Sequence, residues 1–337
     1  MRNQSVFARS TMLKHPQGIE AKTPLLVPSF SSKGFQKRNG KSEISDIYDI
    51  ASEYLSECML VSAFDIHNGY IKNIDGPIAD IIIVDSGGYE ISNSYDLSTL
   101  NYESGYNEQW TEENLRGVYR NLKDQLGFVL VNYDNHEKRI KLDQQVEDAR
   151  KLFSEFPNQL HTILIKPETK YQNYIQCKDI IANIDLLRGF DIVGFTEKEV
   201  GRSILERMDN ISKIRLALDD DNNTAPMHIY GSLDPMTSIM YFCAGAEIFD
   251  GLTWLRYGYM NGTACYYGNF GAISRDISLP DDMMKIYMIS DNISYLGRMK
   301  NQMLKYLIDG DFKMFGENSE IIRNSFNLLK TRNRRVN

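Results

Sequence analysis

Three aspartates close short apolar runs in this chain: Asp85 ends IIIVD, Asp134 ends FVLVNYD and Asp250 ends AEIFD. A carboxylate that follows a buried strand is delivered to one rim of a sheet or barrel, where working residues collect. Carboxylates that converge on one rim repel each other, and at least one is driven to keep its proton. An ionised carboxylate beside a protonated one suits proton transfer and nucleophilic attack. Taken alone, each aspartate reads more readily as a helix cap or turn residue. Three of them at strand ends point to chemistry without naming a reaction.

Asp85 continues into Ser86-Gly87-Gly88-Tyr89. Two glycines let the backbone approach a ligand and present N–H groups to it. Tyr89 adds a flat face on which a base could stack. The histidines add little: His67, His136, His161 and His228 are scattered, and His15 falls in an N-terminal segment expected to be mobile. His228 lies inside an apolar run and reads as a satisfied core residue. The four cysteines, Cys58, Cys177, Cys243 and Cys265, form no C-x-x-C pair, so isolated reduced thiols are expected rather than a zinc site. No G-x-x-x-x-G-K loop or convincing G-x-G-x-x-G is present, which argues against nucleoside-triphosphate and dinucleotide enzymes.

The elements that must hold these residues are legible. Apolar runs at 25–28, 59–63, 81–85, 128–133, 162–165, 192–195, 227–230 and 246–249 lack strict alternation, as strands buried on both faces do. Segments long enough for helices lie between them, at 45–57, 112–125, 143–156, 172–185, 200–208 and 234–243. Eight such units favour a closed (β/α)₈ TIM-type barrel over an open sheet. The polar stretch 92–110 reads as a long insertion loop. The segments 281–309 and 319–332 are amphipathic and carry no strand signal. The expected organisation is a barrel over 1–278 and a helical extension over 279–337.

The 337 residues carry a net charge of −7, with 42% hydrophobic and 25% charged residues, which favours a packed core over disorder. Two basic stretches, KGFQKRNGK at 33–41 and KTRNRR at 330–335, read equally well as phosphate-binding patches and as solvated loops. No apolar run reaches 18 residues and no secretory h-region opens the chain, so no membrane partner and a cytoplasmic location are expected.

The segment DSGGY at 85–89 resembles the DSGG-aromatic motif of tRNA-guanine transglycosylases. The block MHIYGSLDPMTSIMYFCAGAEIFDGLTWLRYGYMNGTA at 227–264 is similar to that family's later signature. Gly231, Pro235, Gly245, Phe249-Asp250, Arg256, Gly258 and Asn261-Gly262 stand in the family's order. Thr23-Pro24 through Pro28 resembles its opening strand, so the likeness covers roughly 20 to 275. The resemblance implies a (β/α)₈ barrel and exchange of guanine in a polynucleotide through a covalent sugar–enzyme intermediate. It implies Asp250 as nucleophile and Asp85 as general acid/base. It places Ser86, Gly87, Gly88, Tyr89, Asp134, Lys166, Gly194 and Phe195 around the base, with Tyr89 stacking on it and Asp134 reading its edge. Arg256 falls where the family meets the nucleic-acid backbone.

The departures are as informative. The family's Cys-x-Cys-x-x-Cys zinc site is not matched after Asn261-Gly262, where Cys265 stands alone, so no metal and no cofactor are expected and something else must hold the C-terminal part. Lys166 stands where the family has a base-reading Gln, Phe195-Thr196 replaces its Gly-Leu, and Glu90 replaces the Gln after the aromatic residue. No RNA-binding domain is appended. This pattern resembles the DNA-modifying branch, which places 7-cyano- or 7-amido-7-deazaguanine in DNA, so DNA is the expected partner, with tRNA as the alternative. A homodimer or a helper protein such as an ATPase stays open, and so does a non-catalytic member that only binds nucleic acid.

Overall fold

Eight runs of branched apolar residues form a closed, all-parallel barrel in the computed structural model of the chain, which describes residues 7–35, 37–38, 41–74, 79–91, 110–134 and 138–334. The strands are β1 (Leu25–Phe30), β2 (Cys58–Ser62), β3 (Ile81–Asp85), β4 (Phe128–Val131), β5 (Leu160–Ile165), β6 (Ile192–Thr196), β7 (Met227–Tyr230) and β8 (Ile248–Gly251). They follow one another round the barrel in chain order, and β8 closes on β1 with Asp250 opposite Val27. A helix or helical turn follows each strand, as parallel connection requires.

Alternation along each strand splits the core in two. Ile81 and Ile83 point into the barrel with Val27, Leu60, Val129 and Leu164, while Ile82 and Val84 join the layer between strands and helices. Burying one such side chain contributes about 1.5–3 kcal/mol, so both faces favour branched aliphatics. Towards the C-terminal rim the inward positions turn polar: Ser29, Ser62, Asp85, Thr196 and Asp250. The opposite end is closed. An antiparallel ribbon of Met12–Lys14 and Glu20–Lys22 inserts Leu13 and Ala21 into the interior cluster. The segment around His15, expected to be mobile, is fixed: the ring is 3% exposed, and Nε2 lies 3.0 Å from the Phe128 carbonyl.

The helix expected at 200–208 runs instead over Ile204–Asp220. Ser203 caps its start by accepting from the Glu206 N–H. Its buried stripe contains Arg215, a charged residue that hides the periodicity from sequence reading. Arg215 is wholly buried because its guanidinium donates to the Ala225 and Asn223 carbonyls and to Asp219. The stretch 92–109 lies outside the described residues; Trp110, which follows it, is buried and donates to the Ser86 carbonyl at 2.8 Å.

After β8 the chain forms an antiparallel ribbon, Tyr257–Met260 with Thr263–Tyr266, turned by Asn261 (φ 49°) and Gly262 (φ 74°). Positive φ at both central residues is what an Asn-Gly hairpin turn provides. Helices Asp281–Asp309 and Ser319–Arg334 cover this side. Met299, Met303 and Tyr306 from the first, and Phe326 and Leu329 from the second, enter the core shared with the barrel. What holds the ribbon is Asn292. Wholly buried, it accepts from the Tyr259 N–H at 2.7 Å and donates to the Trp254 and Tyr257 carbonyls at 2.7 and 2.8 Å. Below it Phe270, Met284 and Met288 form a small apolar cluster. Asn292→Leu should leave three buried backbone groups unpaired and destabilise the chain by about 3 kcal/mol, read from the urea midpoint.

The basic tail is engaged within the chain. Lys330 sits over the Phe326 ring at 4.7 Å and Arg332 pairs with Asp209 at 3.0 Å, while residue 335 lies outside the described residues. The other basic stretch, 33–41, is only partly described. No helix among the described residues is long and apolar enough to cross a membrane.

Candidate active site

Asp250 lies on β8 itself, 6% exposed, at the floor of a cavity of about 620 Å³ at the C-terminal rim. Three donors fix its carboxylate. Ser29 Oγ donates to Oδ2 at 2.9 Å, the Gly231 N–H donates to Oδ1 at 3.1 Å, and His228 Nε2 meets Oδ1 at 3.0 Å. A carboxylate can only accept, so the shared hydrogen belongs to Nε2. His228 is the buried, hydrogen-bonded residue its apolar surroundings suggest, and the partner it orients is the Asp250 carboxylate. Its ring stacks on Tyr230 at 3.7 Å. Tyr230 in turn lies over Gly194, where an added Cβ would stand 2.7 Å from the ring. The Asp250 carboxylate is thus positioned by a packed column of Gly194, Tyr230 and His228.

Asp85 ends β3 and faces the same cavity. Burial pushes its carboxyl up to about 7, and the charges of Glu90 and Asp250 add to this; a hydrogen bond from the Ser86 backbone and the Lys166 charge oppose it. At neutral pH it is about half protonated, the condition in which a group can both give and take a proton. The turn that follows is tightly built. Gly87 has φ 81°, and a Cβ there would meet Trp110 at 2.8 Å and Phe64 at 2.9 Å. At Gly88 a Cβ would lie 3.0 Å from an Asp134 carboxyl oxygen. Tyr89 lines the cavity, while Lys33 covers one face of its ring at 4.3 Å and donates to its carbonyl at 2.6 Å.

On the opposite wall four charged side chains close a ring of alternating sign. Arg139 donates to Asp134 at 3.0 Å and to Glu199 at 3.4 Å. Lys166 reaches Asp134 at 3.1 Å and Glu199 at 2.9 Å, and donates to Thr196 Oγ1 at 2.8 Å. Burial works against the Lys166 ammonium, but Asp134 and Glu199 outweigh it and hold its pKa above the usual lysine value. Charges with this little exposure persist only when paired in this way. Among the described residues each carboxylate oxygen accepts once inside the ring, and a carboxylate oxygen has two acceptor positions, so the ring can meet the donor edge of a neutral heterocycle.

The chain matches no protein-family model, and no match to a curated protein is found. What the cavity can do rests on its side chains.

The structure brings together Asp85, Ser86, Gly88, Tyr89, Asp134, Lys166, Asp250 and Arg256 on one cavity. Gly87 stands behind that wall and shapes the turn. Two expectations are corrected. Phe195 points out of the barrel into the helix layer, wholly buried, because its neighbours Gly194 and Thr196 take the inward positions. Gly194 does not reach the cavity wall, because the Tyr230 ring covers it. Arg256 is held by donating to the Lys33 carbonyl at 3.0 Å, at the outer part of the cavity. Sequence reading missed Ser29, His228, Arg139 and Glu199. The parity of His228 and Asp250 on adjacent strands could have suggested their pairing. Arg139 and Glu199 act from connections, and nothing local marks them. Among the described residues no group of three or more His, Cys, Asp or Glu is disposed to hold a metal ion.

Proposed function

We propose that this chain exchanges guanine in a polynucleotide, with DNA favoured, for a 7-deazaguanine base through a covalent aspartyl–sugar intermediate. The observation that carries the reading is the inequality of the two carboxyls in one cavity. Asp250 is held by three donors, and Asp85 is poised near neutrality. Glycosidic exchange with retention needs such a pair: one carboxylate to attack, one acid to shuttle the proton.

An Asp250 oxygen attacks C1′ as the bond from C1′ to the guanine nitrogen breaks. That electron pair leaves with guanine, which takes the Asp85 proton. The entering base then gives a proton back to Asp85, and its nitrogen displaces Asp250 from C1′. Protons and charge balance over the cycle, and no water is consumed. Tyr89, on the cavity wall, stacks on the base, and the Asp134–Arg139–Glu199–Lys166 ring meets its polar edge. A base must leave the duplex stack to reach this depth.

DNA is favoured because Lys166 and Glu90 depart from the tRNA-acting pattern around a retained carboxyl pair. The test is release and incorporation of labelled guanine on DNA and on tRNA. Exchange on DNA is expected. Incorporation into tRNA alone would transfer the same chemistry to RNA. Free base released without exchange would make the chain a hydrolase.

A further inference from the structure

We propose that the two tryptophans, Trp254 and Trp110, are positioning residues for the two working carboxyls. Each indole N–H fixes the carbonyl of a buried serine, and each serine sets one carboxyl in place. The inference rests on the reading of Asp250 and Asp85 as nucleophile and proton shuttle.

The chain holds two tryptophans, and both indoles make the same kind of bond. Trp254 Nε1 donates to the Ser29 carbonyl at 3.0 Å, and Ser29 Oγ donates to Asp250 Oδ2 at 2.9 Å. Trp110 Nε1 donates to the Ser86 carbonyl at 2.8 Å, and Ser86 follows Asp85 directly. The two serines stand at matching places. Pairing between β8 and β1 ends at Gly251 and Pro28, and Ser29 is the next residue. Pairing between β2 and β3 ends at Ser62 and Asp85, and Ser86 is the next residue. Both serines are buried, so a carbonyl that has left its ladder needs a partner from the protein. In both places the partner is an indole.

Each tryptophan is itself tied down by a distant element. Trp254, wholly buried, packs edge-on to Phe30 with ring centroids 5.4 Å apart, and its carbonyl accepts from Asn292 at 2.7 Å. Trp110 packs edge-on to Phe64 and His67 at 5.6 and 5.5 Å, and its carbonyl accepts from the Tyr133 hydroxyl at 3.0 Å. The helix Asp281–Asp309 therefore reaches Asp250 through Asn292, Trp254 and Ser29. Tyr133, next to Asp134, reaches Asp85 through Trp110 and Ser86. An indole N–H can only donate, so neither tryptophan attacks C1′ or carries the base's proton. Each acts through its serine. Moving a reacting group by about 1 Å can cost about 100-fold in rate, so a serine left free to turn would matter to the chemistry.

The test uses the full chain, free of substrate and isotope-labelled at its indole nitrogens, at one fixed pH so that His67 keeps one charge state. NMR should give two Nε1–H signals, assigned by Trp110→Phe and Trp254→Phe. Asp250→Asn should displace the Trp254 signal more than the Trp110 signal, and Asp85→Asn should do the reverse. Signals that move alike, or not at all, overturn the proposal. In exchange assays the benzothiophene analogue of tryptophan, which keeps the bicycle and lacks the donor, replaces each residue in turn. A fall in kcat of about tenfold, with KM held within about twofold, is expected at either position. Unchanged kcat with a lowered urea midpoint would make both tryptophans supports of the fold alone and overturn the proposal. Because the signals need no substrate, the expected pattern in a chain without exchange refutes only the proposed function. Exchange without the pattern refutes only the role of the tryptophans.

Discussion

Asp250→Ala should lower base exchange by about 10⁴-fold or more and abolish any covalent adduct between the chain and nucleic acid. The size of the effect follows from how little else could replace the lost oxygen. Ser29 and the Gly231 N–H donate to the anion; the N–H has no lone pair to attack with, and a serine hydroxyl attacks C1′ only after a base takes the proton that Asp250 now accepts. His228 Nε2 carries the hydrogen it gave to Asp250, so it offers no lone pair to the cavity. Denaturing electrophoresis of the chain incubated with oligonucleotide and an entering-base analogue reads the adduct directly. An adduct that survives in Asp250→Ala would assign the attack to another side chain, and with it the whole division of labour between the two carboxyls. The variant also leaves Ser29 Oγ, His228 Nε2 and the Gly231 N–H without their acceptor, so its folding is checked by circular dichroism and urea unfolding before the loss is read as chemical.

Asp85→Asn should stop turnover and, at the same time, stabilise the fold. The folded-state value of Asp85 is about 7 against an ordinary 3.8, so folding favours the protonated form. Its stabilising contribution is complete below the unfolded value and is lost as pH rises through the folded one. Above neutrality the wild-type chain bears an ionised, buried carboxylate, and the variant does not. The variant should gain about 2–4 kcal/mol at pH 8, and the gain should vanish near pH 4. Urea unfolding at the two pH values checks the sign, and the exchange assay checks the loss of activity. Equal stability of the two chains at pH 8 would mean that Asp85 is solvated and unfit to act as an acid at neutral pH. A site group that weakens the fold it sits in is the expected trade between stability and activity.

The barrel was legible because its strands are buried on both faces. Each of the eight apolar runs overlaps a strand, with shifts only at the ends. The run at 246–249 moves to Ile248–Gly251, so Asp250 becomes part of the strand rather than the residue after it. The aspartates could be found because a charged residue closing such a run has few reasons to be there. What stayed hidden depends on neighbours that only closure supplies. His228 and Asp250 are 22 residues apart and meet because β7 and β8 are adjacent in register. Arg139 and Glu199 come from different connections and meet only once the barrel closes, directly and through Asp134 and Lys166. The misplacement of Phe195 was a matter of parity: once a strand commits Gly194 inward, the next residue must face the helices. The long helix at 204–220 was hidden by Arg215, whose burial is satisfied by carbonyls that lie eight and ten residues away.

The N-terminal ribbon that closes the far end of the barrel bears on the order of events. Leu13, Ala21 and the buried His15 stop that end, so among the described residues the cavity is reached from the C-terminal rim. A departing base and an entering base cannot pass through in opposite directions at once. Under the proposed exchange the first would clear the mouth before the second descends, with the polynucleotide joined to Asp250 meanwhile. In that exchange, this architecture would impose a two-stroke cycle with a tethered half-product, and would make the expelled base a competitor for the space it has just left.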